Sequence, residues 1–143
     1  MPGPSGITLH HIGCVVDSIE QKIEGYKLAL GSVSVSQIYE DPIQRSRVAF
    51  LDLPTPGGVQ FELVQPVAPN SPVAGFLEKG GGLHHLCYEV DDMQGQIAWM
   101  RSQRVALVSS PKPAAAFGGR HIAWMLTRDF LLIEYLERQW PAK

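Results

Sequence analysis

Hydrophobic and polar positions along this chain run through the same succession of periods twice. Residues 8–16 are rich in apolar and β-branched types and predict a strand. Ile19, Ile23 and Tyr26 follow at i, i+4 and i+7, the inward stripe of an amphipathic helix over about 19–30. Asp17 or Ser18 is its N-cap, Ser18 and Gln21 fit a capping box, and Gly31 supplies the stop. Three extended runs come next, at about 33–39, 47–53 and 59–65. The second round opens with a strand at 83–90. Asp91 or Asp92 then caps a helix over roughly 93–103, with Met93, Ile97 and Met100 as its stripe and Gly95 as its weak spot. Extended runs at about 105–109, 120–127 and 131–137 complete it. Pro54, Pro56, Pro111 and Pro113 predict breaks between runs.

The agreement extends to residue identity. Leu9-His10-His11-Ile12 reappears as Leu83-His84-His85-Leu86, an offset of 74, and Val16 and Asp17 map to Val90 and Asp91 at the same offset. Phe61-Glu62-Leu63 is echoed by Ile133-Glu134-Tyr135 at an offset of 72. The predicted fold class is α+β, with two βαβββ modules in one domain over 1–143. Module one covers about 7–67, module two about 83–138, and a connector over about 68–82 holds a short helix at Val73–Lys79. Gly80-Gly81-Gly82 lacks the Lys-Ser/Thr of a phosphate-cradling loop and reads as the entry to the strand at 83–90.

Composition narrows the class. With 45% hydrophobic and 18% charged residues in 143, the chain has material for a sizeable core. The net charge of −2, without basic blocks, argues against a nucleic-acid partner. The longest apolar stretches, Ile122–Leu126 and Phe130–Ile133, are too short to span a bilayer. The N-terminus reaches His10, His11 and Asp17 too early for a signal peptide. Cys14 and Cys87 form no CxxC, so the expectation is a reduced, cytoplasmic protein without membrane contact.

Four of the five histidines lie in the repeated dipeptides. Each module also carries a glutamate, Glu62 or Glu134, in an otherwise mostly apolar strand, where a carboxylate is costly to bury unless paired or bound to a cation. If the repeated strands meet around a pseudo-twofold axis, one His and one Glu from each half converge on a divalent metal. The pattern leaves open which His of each pair takes part. The absence of a thiolate set disfavours a closed structural zinc site. Mixed nitrogen and oxygen donors suit Ni, Co, Zn, Mn or Fe, with positions open to substrate.

The stretches LHHIGCVVDSIEQKIEGY, VQFELVQPVAPNSPVAGFLEKGGGLHHLCYEVDDM and LLIEYLE together resemble the vicinal oxygen chelate superfamily, which includes glyoxalase I, methylmalonyl-CoA epimerase, extradiol dioxygenases and bleomycin-resistance proteins. ELVQP and GLHH resemble the epimerase and epimerase-like glyoxalase branch most closely. The resemblance implies an open, cup-shaped sheet around one metal ion held by His11, Glu62, His85 and Glu134, and a homodimer. Epimerases of this kind carry a second acid in the strand before ELV, a place that falls on Ala49. Many also have a His-Pro-Lys element, which Met125–Asp129 lacks. In glyoxalase I the last glutamate ligand, matching Glu134, doubles as the base. The first expectation is therefore a lactoylglutathione lyase-like enzyme moving a proton next to a metal-bound carbonyl. The alternative is an acyl-CoA epimerase in which Asp52 or Glu89 replaces the missing base. A further alternative is a non-catalytic drug-binding member. Arg120 and His121 are the candidate contacts for a carbonyl or thioester substrate.

Overall fold

The computed structural model describes residues 6–139; residues 1–5 and 140–143 of the predicted domain lie outside these. Its elements are β1 (Ile7–Val15), α1 (Ile19–Leu30), β2 (Tyr39–Asp41), β3 (Ser46–Asp52), β4 (Gln60–Pro66), α2 (Ala74–Glu78), β5 (Gly82–Val90), α3 (Met93–Ser102), β6 (Ala106–Pro113), β7 (His121–Leu126) and β8 (Leu132–Glu137). The βαβββ order thus occurs twice, an α+β fold as expected. The chain divides into two compact units, His11–His84 and a second made of the residues up to His10 with those from His85 onward.

In the first unit the strand order is β2-β3-β4-β1, with β1 parallel to β4 and the other pairs antiparallel. Side chains alternate across a strand, so each sheet has two faces. One face carries Ile12, Cys14, Ala49, Leu51, Phe61 and Leu63, and packs against Ile19, Ile23, Tyr26 and Leu30 of α1. Fully burying an aliphatic side chain of this size stabilises the fold by about 1.5–3 kcal/mol. The Ser18 side chain accepts from the Gln21 N–H at 3.2 Å, and Gly31 ends the helix at φ 68°. Gly81 meets the end of β1 so closely that a Cβ would stand 2.7 Å from the Val15 carbonyl oxygen, which only glycine permits.

The second unit repeats the plan with order β5-β8-β7-β6. Val90, Ala123, Met125, Ile133 and Tyr135 pack against Met93, Ile97 and Met100 of α3. Asp92, rather than Asp91, caps α3, accepting from the Gly95 N–H at 2.9 Å. Asp91 instead receives the Arg138 guanidinium, which also reaches Thr8 Oγ1 at 3.0 Å.

Two expectations about extended segments are corrected. Pro111 and Pro113 do not separate runs; both lie within β6. Among the described residues this strand pairs only with β7, and it carries register shifts around Ser109, so the missing proline N–H groups remove nothing from the ladder. The run predicted at 33–39 contributes only a Val35–Leu51 bridge before β2. The bridge is made by backbone bonds from the Ser36 N–H to the Phe50 carbonyl at 2.8 Å and from the Asp52 N–H to the Ser34 carbonyl at 3.1 Å. The serine side chains add to it: Ser36 Oγ accepts from the Phe50 N–H at 2.9 Å and Ser34 Oγ donates to Asp52 at 2.7 Å. Among the described residues no helix is long and apolar enough to cross a membrane.

Candidate metal centre

The face of the first sheet turned away from α1 carries His11 and Glu62. Pairing of β1 with β4 sets Gln60 opposite His11 and Gly13 opposite Glu62, so the two functional side chains are diagonal neighbours on one face. His11 Nε2 stands 3.3 Å from Glu62 Oε1. Glycine at 13 leaves the β1 side of the carboxylate free of a bulky neighbour. On the β3 side the register partner of Glu62 is Phe50, whose ring meets the His11 ring edge-on, 5.4 Å between centroids and 71° between planes.

The second unit builds the same corner. Cys87 and Trp124 are the register partners of Glu134, and His85 lies two residues before Cys87 on the same face. His85 Nε2 is 3.4 Å from Glu134 Oε1. Trp124 meets the His85 ring edge-on at 4.8 Å and 84°. His11, Glu62, His85 and Glu134 are 0%, 5%, 5% and 3% exposed. Each buried carboxylate thus presents an oxygen to an imidazole nitrogen, a donor pair whose desolvation is answered best by a divalent cation. The residues fit the expected metal.

The other histidines of the two dipeptides pack on aromatic rings: His10 on Phe117 at 5.5 Å and His84 on Phe76 at 4.8 Å. Asp52 shares the face of Glu62, its register partner being Gln60. Its carboxyl is held below the usual aspartate range by the Ser34 hydroxyl first and the Gln60 amide second, at 2.7 and 2.8 Å. Glu89 shares the face of Cys87 and Glu134 and lies 3.2 Å from Arg120, which also donates to the Glu137 carbonyl at 3.1 Å. His121 points to the opposite, helix-side face, 3.5 Å from Glu137. Phe50 and Trp124 were not singled out by the sequence as site residues. A signal was present, since 124 − 50 = 74 is the offset that also joins His11 to His85.

A family model described as the Glyoxalase/Bleomycin resistance protein/Dioxygenase superfamily matches residues 10–124. The chain belongs to this superfamily. The relatives narrow the branch. Ethylmalonyl-CoA/methylmalonyl-CoA epimerase of Cereibacter sphaeroides is 31% identical over 85% of this chain and 90% of its own length. Human mitochondrial methylmalonyl-CoA epimerase is 32% identical over 77% of this chain and 61% of its own length. The crystal structure of methylmalonyl-CoA epimerase from Mycobacterium tuberculosis matches with a TM-score of 0.81 at 30% identity, covering 100% of this chain and 94% of that one.

These relatives overturn the expectation of glyoxalase I-type lyase chemistry and favour the epimerase alternative. The position of Ala49 gives the physical reason. Ala49 pairs with Leu63 and is wholly buried beneath α1, on the face opposite Glu62. An acid at 49 would lie in the apolar core and have no access to a reacting carbon. Alanine there therefore says nothing against an epimerase in this superfamily.

Proposed function

We propose that this superfamily member is a divalent-metal-dependent epimerase of an α-substituted malonyl-type acyl-CoA, exchanging the proton next to the thioester carbonyl. The observation that carries this reading is the twice-built buried His/Glu corner in a chain whose relatives are named as acyl-CoA epimerases. Removing such a proton is slow in water because negative charge develops on the carbonyl oxygen. A divalent ion held by His11, Glu62, His85 and Glu134, when bound, would supply the opposing charge.

Glu134 takes the proton from the α-carbon. Inversion requires return of a proton to the other side of the flattened carbon, and so a second group. Of the two carboxylates considered for this role, Glu89 is engaged by Arg120, whereas Asp52 meets a hydroxyl and an amide and no cation among the described residues, so it takes the proton of the opposite epimer and, once protonated, returns one in the other direction. Asp52 is the one we assign. Arg120 would serve as the anion contact for the substrate, exchanging Glu89 for a carboxylate or phosphate oxygen. His121, paired with Glu137 on the helix-side face, has no part in this assignment. A homodimer and a reducing, cytoplasmic setting complete the proposal; both cysteines are free thiols.

The test is deuterium incorporation at the α-carbon of methylmalonyl-CoA in heavy water, with protein loaded in turn with Co, Ni, Mn, Zn and Fe. Exchange with inversion is expected for at least one metal. Absence of exchange with every metal, in protein that binds one ion per chain, would reject the reaction.

A further inference from the structure

Each His/Glu corner has a third member that the proton chemistry does not use. Phe50 and Trp124 occupy matching places: each is the cross-strand partner of the corner's glutamate, each meets the corner's imidazole edge-on, and the two are separated by the histidine offset of 74. Core packing alone asks only for apolar volume on this face. The buried residues of the second unit's apolar cluster there, Cys87, Ala114, Ile122 and Leu136, include no ring, and Phe117 at its margin meets the ring of His10. An aromatic ring twice at the glutamate's partner position, twice against the imidazole, is a more specific arrangement.

An imidazole that holds a metal must aim one nitrogen lone pair, yet its ring torsion is broad and roughly twofold. Steep interplanar angles of 71° and 84° set the neighbouring ring against that rotation. We propose that Phe50 and Trp124 are positioning residues that hold the planes of His11 and His85 so that each Nε2 stays directed beside its glutamate oxygen. The contact is closer in the second unit, 4.8 against 5.4 Å, so Trp124 carries the larger effect. For its consequence on metal this inference rests on the metal reading above, but the ring alignment itself does not.

The test uses the full chain with Trp124→Met, which removes the ring while keeping much of its volume, and Trp124→Phe, which retains an edge. Leu136→Ala serves as the control, a truncation on the same face and in the same apolar cluster as Trp124, of a side chain with no ring to set against His85. In metal-free protein, ring-nitrogen magnetic resonance of His85 is expected to broaden or shift in Trp124→Met and to remain near wild type in Trp124→Phe and Leu136→Ala. In cobalt-loaded protein, Trp124→Met is expected to change the visible absorption bands and weaken cobalt binding about tenfold or more, as loss of a supporting contact around a metal ligand does. Should Trp124→Met fail to fold, Trp124→Leu carries the same comparison. Unchanged His85 ring signals and cobalt spectrum in a folded ring-less variant would overturn the proposal, as would an equal change in Leu136→Ala. If wild-type protein takes up no cobalt while the ring signals respond as expected, the metal reading falls and the positioning role stands.

Discussion

At the corner of the first unit, His11 is wholly buried, Glu62 faces a glycine on one side and Phe50 on the other, and the strand face also carries Asp52, held by a hydroxyl and an amide. At the corner of the second, Glu134 has Cys87 and the larger Trp124 as neighbours, and the charged group sharing its face is an ion pair, Glu89 with Arg120. The imidazole–carboxylate distances, 3.3 and 3.4 Å, are the same within a tenth of an ångström. Duplication has thus kept the donor geometry while the surroundings diverged. The comparison teaches that ligand placement is a property of strand register, whereas reactivity and substrate contact depend on what the neighbouring strands contribute.

Breaking one corner at a time gives the largest expected difference. Glu134→Gln should reduce α-deuterium exchange by about 10²- to 10⁴-fold, the range for losing a positioned proton-transfer group. Glu62→Gln should weaken metal binding with a smaller loss of exchange at saturating metal. Equal loss from both, measured on protein with one ion per chain, would mean that the corners are not specialised. Asp52→Asn sharpens the comparison further. It should keep deuterium exchange into one epimer while slowing inversion by about 10²-fold or more, because only the return from the opposite side is lost. Isotope content and stereochemistry followed in the same sample distinguish the two.

The helix-side faces differ more subtly. In the first unit Tyr26 OH lies 3.3 Å from the Cys14 thiol, and this hydrogen bond first, with burial second, pushes the Tyr26 pKa up to about 12. The folded state therefore holds the phenol proton more tightly than the unfolded chain does. That contribution is complete below about pH 10 and is lost as pH rises through 12. Tyr26→Phe should accordingly flatten part of the fall in urea midpoint between pH 10 and 12. An unchanged slope would remove Tyr26 from the alkaline transition. In the second unit burial raises the Tyr135 pKa while its hydrogen bond with Gln96 lowers it, and Gln96 Oε1 is buried with no hydrogen-bond partner among the described residues. Replacing both partners by apolar groups, Gln96→Leu with Tyr135→Phe, should change unfolding free energy by no more than about 1 kcal/mol in either direction. Gln96→Leu alone, which strands the buried hydroxyl, should be the worse variant by chemical denaturation.

Much was legible in one dimension because the relevant signals are local or repeated. The stripes Ile19/Ile23/Tyr26 and Met93/Ile97/Met100 and the caps follow from helical period and from hydrogen bonding within a few residues. The duplicated Leu-His-His and the two strand glutamates bring out the site because the same environment was specified twice. What the chain order alone misplaced involved partners across strands. The resemblance puts Ala49 at a substrate-facing position, but the loop over 53–59 separates β3 from β4, so neither strand's alternation says which residue of one shares a face with Glu62. The prolines of β6 predict breaks in one dimension because a strand's own sequence does not say that it will stand at a sheet edge.

The amino-acid order by itself determined two βαβββ modules, their helices, and the residues able to offer nitrogen and oxygen donors, since backbone periodicity and side-chain chemistry are carried within each segment. Only tertiary structure decided which side chains stand beside those donors: Phe50 and Trp124 on the imidazoles, Arg120 on Glu89, and apolar core around position 49. Register between strands is chosen by the packing of whole faces and the loops that join them, and a shift of one residue would exchange every neighbour.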